Sequence, residues 1–373
     1  MSAQQNNQKH LKNPFRDRAP VLRFRAGQNI MITLLSFAFS VGATRLFLEI
    51  TGYPQLGGGN LHIAHVLWGG LFLFAASLVA ILYVNEWMVT LAALLSGIGV
   101  GLFIDEVGKF ITATNDYFFP SAAPIVYVLF LLTVLLASQV RGGKVNTTRA
   151  RMYEILERFS EVLDSDLSSY EREELIQSLS EVEDSKQNHN LVKLAGALKD
   201  YLVNQKKLAD TTRPNFLDRL RIAWLRFERT RLPKNRLRLI LAIGLLGYSI
   251  WAMISPVFFF TISNNPNELQ QFLDQLIHNN LIRNADGLNW FEAKVILEGG
   301  FGLIALLAAF LLLIKADKVG IWIGIIGLLV ALTLVNLLVF YFEQFSTIMM
   351  ASVQFILLIL LLRYKQRFLT KDI

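Results

Sequence analysis

Cysteine is absent from the 373 residues of the chain. Disulfides, zinc–thiolate sites, iron–sulfur clusters and covalently attached haem are therefore excluded, and any divalent metal would have to be held by His, carboxylate or amide ligands. Charge is also scarce. Only 17% of residues are Asp, Glu, Lys or Arg, against about 25% in ordinary soluble domains, whereas 53% are hydrophobic. Short catalytic signatures are missing too: there is no serine nucleophile elbow, zincin motif or kinase signature. The glycines at 97, 99 and 101 make a poor nucleotide fingerprint, because no strand precedes them.

What is present is apolar length. A hydrocarbon core about 30 Å thick needs about 20 apolar residues in helical form, since a helix satisfies its own backbone groups. Eight runs meet that need: 29–50, 61–84, 87–113, 123–140, 238–262, 292–314, 319–342 and 346–363. The expected fold is an all-α integral membrane protein with about eight transmembrane helices in two four-helix halves and a small helical cytoplasmic insert. Its boundaries read as a basic cytoplasmic tail at 1–28, a first membrane half at 29–140, an insert at 141–236, a second membrane half at 237–363 and a basic tail at 364–373.

The net charge of +7 raises the question of nucleic acid. In a chain with these apolar runs, Lys and Arg more economically mark the cytoplasmic side of a bilayer, so no nucleic-acid partner is expected. The N-terminal tail, the region from Arg141, the Lys315/Lys318 turn and the tail from Arg363 to Lys371 all fall on one side when eight spans alternate. Both termini are then cytoplasmic, in the inner membrane of a prokaryote.

Within the insert, Met152, Ile155, Leu156, Phe159, Val162 and Leu163 recur at spacings of three and four, the stripe of an amphipathic helix. Ser168 with Glu171 signals a second helix start, and Leu191, Leu194, Leu198 and Leu202 mark a third helix. So thin a core suits a module that docks a protein partner or a second copy of the chain. Residues 213–238, with nine Lys and Arg beside Phe216, Trp224 and Phe227, read as an interfacial helix on anionic lipid or as the basic flank of the fifth span.

The chemistry lies in the first three spans. Asp105, Glu106 and Lys109 sit in the outer third of span three, followed by Asp116; His62 and His65 open span two, three residues apart; Arg45 and Glu49 close span one as an i,i+4 pair. An unpaired charge at such depth costs about 2.5 to 3.5 kcal/mol even on the most lenient scale, so these groups should face one another. The Gly97/Gly101 pair, with Gly69, Gly70 and Gly108, permits the close helix approach that this requires.

Three readings follow. Carboxylates and imidazoles, net negative when both histidines are neutral, suit a transporter or an ion- or proton-handling site made of Arg45, Glu49, His62, His65, Asp105, Glu106, Lys109 and Asp116. His62, His65, Asp105 and Glu106 could instead hold a divalent metal for an enzyme at the outer surface, with Glu106 as general base. HxxH is a weaker signal than HExxH, however, and Lys109 competes with a cation. The third reading is a scaffold or sensor whose polar groups form a structural network, Arg45 with Glu49 or Asp105 and Lys109 with Glu106. In the second half, Glu298 and Asn336 stand out as the remaining polar groups that could extend a translocation path.

Overall fold

The computed structural model describes residues 19–52, 64–117, 119–142, 147–163, 167, 169–185, 189–204, 230–278 and 285–369. No strand occurs among them. Seven helical runs among the described residues are long and apolar enough to cross a membrane, so the chain is an all-α multi-pass membrane protein. Two compact units divide it, one built from residues 1–29 and 137–215, the other from 30–136 and 216–373.

In the larger unit, α1 (Ala26–Thr51), α2 (His65–Leu82), α3 (Glu86–Asp105), the short α4 (Val107–Ile111) and α5 (Ala122–Gly142) supply the first half. Most of their outward faces are as apolar as their inward ones: Leu67, Leu71, Phe74, Leu78 and Ile81 of α2 are all exposed. That pattern belongs to helices surrounded by acyl chains. With no hydrophobic drive to pair such helices, backbone proximity has to do it. Span three divides its glycines between two neighbours. A Cβ on Gly97 would lie 1.9 Å from Ser36 Oγ and one on Gly101 2.7 Å from Ser40 Cβ, both on α1, whereas Gly99 and Gly69 meet across the α2–α3 contact. Spacing of four sets Gly97 and Gly101 on one face and leaves Gly99 on the other.

The insert side begins a separate unit with α6 (Thr148–Arg158), α7 (Ser160–Leu163), α8 (Ser169–Asp184) and α9 (His189–Asn204). Thr147 caps α6 by accepting from the Ala150 amide at 3.1 Å, while Ser168 lies outside the described residues. Met152, Ile155, Val162, Leu175, Leu179 and Leu202 form the core. Two members of the expected stripe are exposed instead: Leu156, on the outer side of α6, and Leu163, 82% exposed at the end of α7, which restarts the register after α6 ends at Arg158. The described part of the basic tail packs here as well. Arg23 pairs with Glu157 at 3.3 Å, Arg25 with Glu161 at 3.0 Å, and Arg158 covers the Phe24 ring.

The second half opens with α10 (Lys234–Ala252) and α11 (Ile254–Ser263). Pro256 has no amide to donate to Ala252, which accounts for the break at Met253. The surface helix α12 (Pro266–His278) then leads to α13 (Ala285–Leu313). Of the expected interfacial segment 213–238, residues 213–229 lie outside the described residues; at its end, Lys234 and Arg238 turn toward Asp317 at 3.3 and 3.7 Å.

The seventh run, 53 residues from Asp317 to Leu369, is more than twice the length of a single crossing. It folds back on itself. One arm is α14 (Asp317–Val330), a π-helical turn and α15 (Asn336–Glu343); the other is α16 (Ile348–Tyr364). Tyr364 donates to Asp317 at 2.7 Å and Asn336 to Gln354 at 2.8 Å, an antiparallel register. The fold occurs at Gln344, whose φ of 52° is a left-handed value uncommon outside glycine.

Candidate functional site

Helix α3 does not run straight into α4. Glu106 sits between them at φ −92°, ψ 11°, and the kink frees the Asp105 carbonyl from the helical ladder. Arg45, one helix away, fills the gap: its Nη2 donates to that carbonyl at 3.0 Å and its Nε to Asp105 Oδ1 at 2.5 Å. Asp105 is fully buried. Its second oxygen, Oδ2, takes Tyr117 Oη at 2.9 Å and faces His65 Nε2 at 3.0 Å.

His65, first residue of α2, has its other ring nitrogen 3.4 Å from Glu106 Oε1. Lys109 donates to the same Oε1 at 2.7 Å, and Glu106 Oε2 has no hydrogen-bond partner among the described residues. The imidazole thus spans two carboxylates that are 0 and 1% exposed, while itself remaining 20% exposed. Three aromatic contacts enclose the cations. Tyr117 lies beneath both Arg45 and Lys109, at 4.4 and 5.1 Å, and Phe345 faces Arg45 at 3.5 Å.

The structure sorts the members of the cluster expected from the sequence. Arg45, His65, Asp105, Glu106 and Lys109 meet. Glu49 is exposed, and the Arg45 guanidinium turns to Asp105 rather than to its i,i+4 neighbour. Asp116 contributes its backbone, its amide bonded to Thr112 Oγ1 at 2.7 Å and its carbonyl 2.6 Å from where a Cβ on Gly108 would stand. His62 lies outside the described residues. Two cations and two carboxylates therefore meet around His65, whereas the net negative count expected from the sequence also included Glu49 and Asp116. Among the described residues, no three His, Asp or Glu side chains are disposed to hold a metal ion; Arg45 and Lys109 each take one carboxylate oxygen, Asp105 Oδ1 and Glu106 Oε1.

Two members escaped the sequence reading of the site. Tyr117 is close enough in sequence to be a candidate, but a tyrosine beyond a span end has many ordinary uses. Phe345 lies 300 residues from Arg45, and no local spacing connects them.

The second half carries its own polar groups. Lys294 lies 3.0 Å from Glu298 Oε2 and hydrogen-bonds Glu343 Oε1. Between the halves, the π-helical turn releases the Leu332 carbonyl to Tyr127 Oη at 2.6 Å, and Asn336 donates to both Tyr127 Oη and Gln354 Oε1. Asn336 thus joins the halves. Beside it, α1, α5, α15 and α16 line an apolar cavity of about 100 Å³ that includes Gly42, Val126, Phe345 and Phe355.

Comparison with protein-family models, with curated proteins and with solved structures finds no match.

Proposed function

We propose that the protein handles protons at the Thr51 end of α1, the end that the distribution of Lys and Arg assigns to the outer face. The observation that carries this reading is the placement of His65, with Nε2 on Asp105 and Nδ1 toward Glu106. Imidazole can accept a proton at one nitrogen and release one from the other, so once Glu106 has bound a proton from solution and passed it to Nδ1, returning to carboxylate, Nε2 passes its own proton to Asp105. Arg45 and Tyr117 hold the acceptor carboxylate in place. The exposed part of the imidazole gives access from the surface.

A structural reading competes, favoured by the Arg45 clamp on both the carboxylate and the carbonyl of Asp105. Purified protein in vesicles with a trapped pH dye separates the two. Under a potassium diffusion potential, the wild type is expected to move protons faster than protein-free vesicles, and His65→Ala and Glu106→Gln to return the rate to that background while staying folded. Equal rates in wild-type and empty vesicles, or full flux in His65→Ala, overturn the proposal. Variants that lose only thermal stability support the structural reading.

A further inference from the structure

Among the described groups around it, Lys294 is the one cation set between two carboxylates. It lies one turn from Glu298 on α13 and hydrogen-bonds Glu343 at the end of α15. Lys294 is 2% and Glu298 4% exposed. The charge count differs from that around His65: one positive group faces two negative ones.

The hydrogen-bonding pattern shows where the imbalance falls. Lys294 hydrogen-bonds Glu343 and also pairs with Glu298 Oε2 at 3.0 Å, so one ammonium is shared between two carboxylates, and among the described residues that oxygen has no further hydrogen-bond partner. Among the described residues, the neighbouring elements bring no second cation. Ser255 of α11 hydrogen-bonds Glu298, and from α10 comes the neutral phenol of Tyr248, itself bonded to Gln354 of α16. Glu343 of α15 adds a like charge. Glu343 is part-exposed and can keep its charge on Lys294, whereas an uncompensated charge on the buried Glu298 is costly. A bound proton removes the excess charge and gives the unsatisfied oxygen a hydrogen.

We infer that Lys294, Glu298 and Glu343 form a single-proton site, with the proton carried on Glu298 when the triad is neutral. The site goes beyond the His65 proposal and stands without it. Its ligand is the same ion on the other half of the protein, and the two places share a turn: Glu343 bonds Lys294, and Phe345, two residues on, covers Arg45.

Infrared spectra of the purified full-length protein in H2O and D2O test this without any flux assay, because a protonated carboxyl has an isotope-sensitive C=O band separate from those of carboxylates. The band is expected at neutral pH in the wild type and in Glu106→Gln, and is expected to vanish in Glu298→Gln. Glutamine resembles the protonated acid, so Glu298→Gln should melt within about 2 °C of the wild type. Glu343→Gln provides a second route that leaves Glu298 in place. With one negative charge removed, Lys294 balances an ionised Glu298 and the band disappears again. A wild type without the band overturns the inference, as does a band that survives in Glu298→Gln. So does a melting temperature that rises when sodium replaces choline in the wild type but not in Glu298→Gln, since a metal cation rather than a proton would then balance the site.

Discussion

Phe345 lies against the guanidinium of Arg45, 3.5 Å from ring centroid to Cζ, across the boundary between the two halves of the membrane unit. The residue two positions earlier, Glu343, faces the other way to Lys294. A cation over an aromatic ring in a desolvated setting is worth about 2 kcal/mol. Phe345→Leu keeps the apolar bulk and removes the π face, so it should lower stability by roughly 1 to 2 kcal/mol. In Arg45→Met the guanidinium is already gone, and the same leucine change should cost much less. Thermal melts of the four proteins in detergent give the coupling directly; equal costs in both backgrounds would show that the ring serves only as packing.

Breaking the Arg45–Asp105 pair should be severe. Arg45→Ala leaves a fully buried carboxylate and a kink carbonyl without their cation, and removing one partner of a buried pair costs about 3 to 5 kcal/mol. Replacing both charges, as Arg45→Met with Asp105→Leu, should recover a large part of the loss. A double variant no more stable than Arg45→Ala would mean that the neighbours Tyr117 and His65 depend on the Asp105 carboxylate as much as Arg45 does.

Glycines of the first half divide by what a methyl group would meet. At Gly97 it would collide with Ser36 Oγ and the Thr33 carbonyl, whereas at Gly42, beside the apolar cavity, nothing lies within 4 Å. Gly97→Ala should therefore destabilise by about 1 to 3 kcal/mol through overpacking, and Gly42→Ala should stabilise by about 0.5 to 1 kcal/mol through helix propensity. Melting temperatures that move in the same direction would contradict the close approach of α1 and α3.

The tail and the insert offer a milder test. Exposed ion pairs contribute at most about 1 kcal/mol each, so Glu157→Gln with Glu161→Gln, which weakens two pairs, should speed tryptic cleavage after Arg23 and Arg25 by roughly thirtyfold or less. Raising salt should accelerate cleavage of the wild type in the same way. Cleavage unaffected by either change would place the hold on Phe24 and its contact with Arg158.

Much of this fold is legible in the chain because apolar length is a strong signal: each described span lies within a few residues of a run read from hydropathy. Position along the runs is legible for the same reason, and Arg45, His65, Asp105, Glu106 and Lys109, expected at one level, are in contact. Rotation about a helix axis is not legible. Arg45 and Glu49 are ideally spaced to pair, yet the arginine turns inward, where a buried carboxylate at low dielectric and a freed carbonyl both accept from it. Contacts such as Phe345 with Arg45 and Lys294 with Glu343 depend on how the last run folds back at Gln344, a non-glycine residue in a left-handed conformation that no turn signature announces.

The bonds among Tyr127, Leu332, Asn336 and Gln354 restrict how the molecule can move. Surrounded by hydrocarbon, these groups have no solvent to replace a lost partner. Separating or sliding the halves at that level would strand a phenol, an amide and a carbonyl together. Rearrangement at the charged ends is therefore cheapest as a tilt about this fixed point, a pivot about which small rotations at one end become displacements at the other.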